Sequence, residues 1–276
     1  MSQTWYGEQE PEHPPITASG YFVVLLRVIP LALLVFGGLF ILLLVRLVEQ
    51  PLHGRHRPYT PGITRFVCRW SLRILGIGHV VEGRPMEHRG AVVANHSSWL
   101  DIFALNVAKR IYFVSKSEVA GWPGIGWLAK ATGTVFIRRD PAEAKTQTRV
   151  FQERLLAGHK LLFFPEGTST DGQRVLPFKT SLFQAFFAPE LKDVLWVQPV
   201  TVRYVAPPRR DASFYGWWGD MSFGAHLLST LATWQQGRVE VVYHPPLRVA
   251  DFTDRKALAQ ACENVVRAGH KPTRAA

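Results

Sequence analysis

Hydrophobic positions along this chain follow three patterns in turn. The first is one unbroken run: residues 28–45 read VIPLALLVFGGLFILLLV, 18 positions without a charge. At ~1.5 Å per residue such a helix is roughly 27 Å long, close to the ~30 Å hydrocarbon thickness of a bilayer. Residues 21–26 and 47–48 extend the run, Arg27 and Arg46 flank it as side chains able to snorkel, and Pro30 falls in the first turn. This predicts a membrane helix, with a buried core helix or one dipping into a single leaflet as the alternative. A signal peptide fits poorly, because no basic stretch precedes the run and no small-residue cleavage site follows Val48.

The second pattern is a helical repeat. In residues 64–78, TRFVCRWSLRILGIG, Arg65, Arg69 and Arg73 form one basic stripe, with Val67, Trp70, Ile74 and Ile77 around the opposite side. An amphipathic helix is predicted, lying at anionic headgroups or packing against the globular part. Between the two helices, residues 50–62 carry three prolines and two glycines and read as a linker.

The third pattern fills the remainder. Short apolar, strand-like runs at 91–94, 111–114, 134–137, 161–164, 195–204 and 239–243 alternate with helix-like stretches at 102–108, 142–156, 182–187 and 256–268. Such alternation predicts an α/β fold whose central, mostly buried sheet is flanked by helices. Residues 221–236 are amphipathic and aromatic and carry no assignment. The organisation expected is a polar tail over 1–20, a membrane-anchoring region over 21–80, and one catalytic or binding domain over 81–276.

Composition narrows the function. With 276 residues, 47% of them hydrophobic and 19% charged, the chain is not a disordered one. Its 32 Lys and Arg against 21 Asp and Glu leave a net charge of +11, which calls for an anionic partner. Nine Trp and 17 Phe point to a lipid surface, and no recognisable nucleic-acid module accompanies the charge. Cys68 and Cys262 are too few for a disulfide framework or a four-cysteine zinc site, so both read as structural in a reducing compartment. Residues 1–20 hold no Lys or Arg but include Glu8, Glu10 and Glu12, whereas Arg46, Arg55, Arg57 and Arg65 closely follow the apolar run. The positive-inside rule therefore places everything after Val48 in the cytoplasm, at the inner membrane.

Chemistry-bearing residues gather after the predicted strands, where α/β folds place their sites. After 91–94 comes Asn95-His96-Ser97-Ser98-Trp99-Leu100-Asp101. His96 is a candidate general base. Asp101 can hold its other ring nitrogen if a helix begins there, or can merely cap that helix. After 161–164 comes Phe164-Pro165-Glu166-Gly167-Thr168, with hydroxyls continuing to Thr170; an ordinary polar turn is the alternative. After 134–137 come Arg138 and Arg139, suited to a phosphate or carboxylate, or simply solvated. No third ligand joins His96 and Asp101 at metal-binding spacing, so no metal is expected.

Taken together, Asn-His-x4-Asp, Gly133-x-x-Phe-Ile-x-Arg139, Phe-Pro-Glu-Gly-Thr and Val197-Gln198-Pro199-Val200, in this order, resemble the glycerolipid acyltransferase superfamily, most closely the 1-acyl-sn-glycerol-3-phosphate acyltransferases. The likeness covers roughly residues 90–204. It implies that His96 is the base that deprotonates a lysolipid hydroxyl and that Asp101 orients it. The donor implied is acyl-coenzyme A or acyl-acyl carrier protein, without a covalent acyl-enzyme and without a cofactor. Arg138, Arg139, Glu166, Gly167 and Thr168 would hold the acceptor, and Pro199 would lie on the acyl side. Trp122, Trp127 and Phe136 are candidates for acyl-chain contact.

Two positions depart from the family pattern. Ser169 stands where members with phosphate acceptors often carry Arg, and Arg138 where Asp is common. Residues 214–226, FYGWWGDMSFGAH, resemble a bacterial branch that includes acyltransferases for lyso-ornithine lipid. The expected reaction is acyl transfer to 1-acyl-sn-glycerol-3-phosphate, giving phosphatidic acid. The alternative acceptor is lyso-ornithine lipid, and the alternative class is a non-catalytic, membrane-tethered lipid-binding protein.

Overall fold

A computed structural model of the chain describes residues 4–7, 10–11, 15–54, 56–138 and 144–270. Helix α1 (Ala18–His53) opens at Thr17, whose hydroxyl accepts from the Gly20 N–H at 3.2 Å. It is long and apolar enough to cross a membrane. It is not an isolated rod, because Val23, Gly38, Leu42 and Glu49 are buried against the rest of the protein. A Cβ at Gly38 would overlap Val67 of the next helix, so this glycine sets how closely the two backbones approach.

The linker is shorter than the sequence implies. Helix α1 continues through Pro51 to His53 and ends at Gly54, and α2 (Thr60–Leu75) already starts at Thr60, with Pro61 in its first turn. The device joining them is Glu49. Its buried carboxylate accepts from the Tyr59 N–H (2.8 Å), the Thr60 N–H (3.1 Å) and the Thr60 hydroxyl (2.8 Å), so a side chain of one helix caps the next.

The flanking arginines do not snorkel. The Arg27 guanidinium donates to the carbonyls of Leu231 (3.0 Å), Thr233 (2.6 Å) and Trp234 (3.0 Å), and Arg46 pairs with Glu49 at 3.1 Å. Desolvated carbonyls offer an arginine more than a distant headgroup does. The amphipathic reading of α2 also shifts. Cys68, Ser71, Leu72 and Leu75 face inward, while Trp70 and Phe66 are exposed beside Arg69 and Arg73, with the Arg73 guanidinium 4.7 Å from the Trp70 ring. Arg65 leaves the stripe and donates to the Val107 carbonyl at 3.3 Å. Gly76, at φ 80°, ends the helix and turns the chain into β1.

The domain is an 8-stranded sheet in the order β1-β7-β6-β2-β5-β3-β4, with β8 beside β6. Its strands are β1 (Gly78–Gly83), β2 (Gly90–Ala94), β3 (Tyr112–Lys116), β4 (Val135–Ile137), β5 (Leu161–Phe163), β6 (Trp196–Val205), β7 (Arg238–Tyr243) and β8 (Leu247–Arg248). The helices among them are α3 (Asp101–Asn106), α4 (Ile125–Thr132), α5 (Ala144–Leu156), α6 (Pro189–Lys192), α7 (Phe223–Ala232) and α8 (Arg255–Gly269). The stretch expected as a helix over 182–187 is a 3-10 helix.

Each face of the sheet has its own core. Val92, Ala94, Val200, Val202 and Tyr204 pack with α2 and α3, while Ala91, Val93, Leu161, Phe163 and Val197 pack with α5 and α8. The alternation follows the two-residue repeat of a strand. What positions the site is the central pairing. β2 and β5 run parallel with Val93 opposite Phe163, so the residues after Ala94 and those after Phe163 leave the sheet at the same end.

Candidate active site

Asn95, the first residue past β2, carries the ladder one step further with its side chain. Its Nδ2 donates to the Val202 carbonyl (2.8 Å), and its Oδ1 accepts from the Val202 N–H (2.8 Å). That clamp fixes where His96 departs. The His96 Nδ1 lies 2.7 Å from Asp101 Oδ2, and the same oxygen accepts from the backbone N–H groups of Ser97 (2.9 Å) and Ser98 (3.1 Å). Asp101 is the first residue of α3, so the sequence's two readings hold together: one carboxylate gathers the turn before the helix and holds the histidine.

An ionised carboxylate only accepts hydrogen bonds, so Nδ1 carries the imidazole proton and Nε2 keeps its lone pair. The imidazole plane is fixed by Phe164, stacked on it at 4.0 Å between centroids and 8° between planes. Asp101 is fully buried, whereas the His96 side chain is 22% exposed, enough to meet a substrate. The other carboxylate oxygen of Asp101 accepts from the Tyr204 hydroxyl at 2.7 Å. Burial, and then the adjacent Asp101 charge, hold the Tyr204 phenol well above its usual pKa, so it stays a donor.

The second motif meets the first through Glu166. Its buried carboxyl accepts from the His96 N–H (3.2 Å) and the Leu176 N–H (3.1 Å), closing the loop between them, and burial pushes it well above the ordinary carboxylate range. Gly167, at φ 75°, makes the turn whose N–H returns to the Phe164 carbonyl. The Thr170 N–H donates to the His96 carbonyl at 3.1 Å. Glu166 thus faces inward, while Phe164, Gly167 and Thr168 are half-buried.

The remaining candidates scatter. Pro199 is buried in β6 opposite Val93, inside the sheet. Arg138 is exposed after β4, and Arg139 lies outside the described residues. Trp122 reaches the site indirectly, edge-on to Trp217 at 6.1 Å, whose N–H donates to the Ser97 carbonyl at 2.8 Å. Trp127 is 63% exposed. Both cysteines are buried and free; burial pushes the Cys68 thiol up to about 12 and the Cys262 thiol higher still, so neither is a nucleophile at neutral pH.

Sequence reasoning missed three supports: Tyr204, Trp217, and His226 on α7. The His226 ring accepts from the Trp99 Nε1–H at 2.9 Å and meets the Phe214 carbonyl at 3.2 Å. Tyr204 carried a readable signal, since it shares strand parity with the inward-facing Val200 and Val202.

Known proteins resemble this chain in sequence and in fold. The Acyltransferase family model matches residues 78–203. A Rhodobacter capsulatus lyso-ornithine lipid O-acyltransferase is 58% identical over 265 residues, which span 96% of each chain. The chain belongs to the glycerolipid acyltransferase superfamily. A 1-acyl-sn-glycerol-3-phosphate acyltransferase of Neisseria gonorrhoeae is 41% identical, but over 42% of this chain and 46% of its own. In fold, the acyltransferase is similar to the solved structure of the 1-acyl-sn-glycerophosphate acyltransferase PlsC from Thermotoga maritima, with a TM-score of 0.58 at 23% identity, covering 88% of this chain and 96% of that one. The protein is therefore a lysolipid acyltransferase.

Proposed function

We propose that this acyltransferase moves an acyl group from an acyl thioester to the free hydroxyl of lyso-ornithine lipid. The observation that carries the reading is the 58% identity to the Rhodobacter protein, which runs through 96% of both chains and so includes the anchor and the segment around Trp217. Ser169 in place of a phosphate-binding arginine fits an ornithine head, whose acid is a carboxylate.

In the reaction, Nε2 of His96 takes the proton of the acceptor hydroxyl as its oxygen attacks the thioester carbonyl. Asp101 stabilises the imidazolium that forms. The carbon–sulfur bond breaks, the proton passes from His96 to the departing thiolate, and an ester and a free thiol remain. The thioester is already activated, so no acyl-enzyme is required. Acyl-coenzyme A and acyl-acyl carrier protein both satisfy this chemistry. Helix α1, with Phe22, Leu33, Phe40 and Leu47 exposed along it, holds the domain at the cytoplasmic face of the inner membrane, where its lipid acceptor is confined.

The test offers lyso-ornithine lipid and lysophosphatidic acid in parallel to purified protein with a labelled acyl thioester. Faster transfer to lyso-ornithine lipid, lost in His96→Ala, is the expected result. Preference for lysophosphatidic acid overturns the acceptor, and an active, folded His96→Ala overturns the mechanism. Binding without turnover returns the protein to the non-catalytic class.

A further inference from the structure

The catalytic turn leaves the sheet where β2 and β5 end; the other end of the sheet holds a second recess. β3 runs parallel to β5, so Tyr112 at its start lies away from His96. There a pocket opens between Leu42 of α1, the start of α2 and the residues that lead into β3. Three arginines line it, Arg57, Arg65 and Arg110, and among the described residues no carboxylate does. Two of them are held at helix ends. Arg57 donates to the Ala131 carbonyl in the last turn of α4 at 2.6 Å. Its guanidinium packs against Gly133, where an added Cβ would stand only 3.0 Å from the guanidinium carbon. Arg65 donates through Nε to the Val107 carbonyl just past α3 at 3.3 Å, which leaves its two terminal nitrogens unspent. Arg110 is exposed. Glu49, the acid whose charge reaches Arg57, is already taken up by Arg46 and the start of α2. Burial and the Arg46 charge lower the Arg57 pKa, as expected of a cation with too little counter-charge.

We propose that the pocket of Arg57, Arg65 and Arg110 binds the phosphate of an acidic membrane phospholipid, at a site separate from that of acyl transfer. Guanidinium groups gathered at one recess repel one another, and an anion placed among them offsets that cost. A planar carboxylate is satisfied by a single fork, whereas the oxygens of a tetrahedral phosphate can be shared among several guanidiniums. Backbone carbonyls hold Arg57 and Arg65 in place beforehand, so little side-chain freedom is lost on binding. The wall of the pocket identifies the source of the phosphate. Leu42 belongs to the anchor helix, and Leu43, Leu47 and Leu52 of that helix are exposed. Acyl chains therefore have apolar surface to follow while the headgroup sits among the arginines, as basic pockets beside membrane helices allow. The inference does not depend on which lysolipid the enzyme acylates.

The experiment follows the Tm of the full-length protein in a neutral detergent as phosphatidylglycerol, diacylglycerol or inorganic phosphate is added. A ligand that binds only the folded state raises Tm as it saturates its site. The variants are Arg110→Gln, Arg65→Gln/Arg110→Gln and a control, Arg84→Gln/Lys256→Gln, which removes two exposed cations outside the pocket. Loss of one charge-assisted contact corresponds to roughly a tenfold or greater rise in Kd. Phosphatidylglycerol should stabilise wild type and control alike, with diacylglycerol and phosphate far weaker. Its apparent Kd should rise about tenfold in Arg110→Gln and further in the pocket double variant. Arg110 is exposed, so its single variant reads the site even if loss of the Arg65 contact to Val107 impairs folding. Equal weakening in the control would reduce the effect to net charge and overturn the site. A response to diacylglycerol as large as that to phosphatidylglycerol, or no response in wild type, would do the same. Inorganic phosphate that matches the lipid, with the same dependence on Arg110, would overturn the membrane as the source.

Discussion

Replacing Tyr204 by Phe removes one oxygen from the deepest layer of the site and tests the account of Asp101 directly. That carboxylate is fully buried and holds four donors, of which His96 Nδ1 and two backbone N–H groups share Oδ2; Oδ1 accepts from the Tyr204 hydroxyl at 2.7 Å. Phenylalanine keeps the ring and its packing but leaves Oδ1 without that donor. A hydrogen bond to a charged group contributes about 1.5–3 kcal/mol, which corresponds to roughly 10- to 150-fold in rate if it is expressed wholly at the transition state. Three donors still hold the carboxylate, so the lower end applies and kcat should fall about tenfold with acceptor KM unchanged. In the proposed mechanism Tyr204 is a positioning residue that acts on His96 through Asp101. The assay is steady-state acyl transfer by purified wild-type and Tyr204→Phe protein, with thermal unfolding of both recorded. A variant with wild-type kcat refutes the reasoning, and a lowered Tm with intact kcat reduces Tyr204 to a packing residue.

Asp101→Asn should cost far more, on the order of 10³-fold or greater in kcat, because it removes the charge and allows the wrong imidazole tautomer; single-turnover kinetics would check this. Gly38→Ala should lower Tm through a clash with Val67 costing roughly 1–3 kcal/mol, while an alanine at Gly37, whose added Cβ meets nothing within 4 Å, should not. Burial holds His79, His244 and His270 below their ordinary pKa of 6.5. The unfolded chain therefore binds more protons at these sites as pH falls below about 6.5, and stability should decline there and recover as pH rises again. Unfolding curves across pH 5–8 (an experimental range of roughly three units around the histidine pKa) should lose part of that slope in a His244→Gln/His270→Gln double variant.

The sequence exposes some of this architecture and conceals the rest for physical reasons. The buried strands are legible because both faces are apolar, as in Ala91–Ala94 and Leu161–Phe163. β1 is not, since all but one of its residues are exposed and glycines stand at both ends; it belongs to the sheet through parallel pairing with β7, a contact between residues far apart in the chain. His96 and Asp101 can be paired from sequence because one local turn joins them. For Tyr204 strand parity shows only the face it shares with Val200 and Val202; that it meets Asp101, and that His226 meets Trp99, depends on sheet order and helix packing, which spacing does not carry. Glu49 misleads in another way: a lone acid at the end of an apolar run looks like the edge of a membrane segment, yet it caps a second helix.

The three carbonyls held by Arg27 have a consequence for how the protein comes into being. They lie at the end of α7 and just beyond it, and α7 carries His226 at its other end, against Trp99. Cys68, Leu72 and Leu75 of α2 belong to the same core as Val92 and Leu100. The anchor is thus an internal component of the domain, and it is synthesised first. During translation α1 and α2 emerge while the residues they will cover do not yet exist, so lipid is the natural shelter for their apolar faces. The domain then assembles against helices already in place, with the membrane serving as its folding template. A chain shortened to start at β1 would leave one face of the sheet without α2 and the end of α7 without its cation, and should be recovered as aggregate rather than as a soluble enzyme.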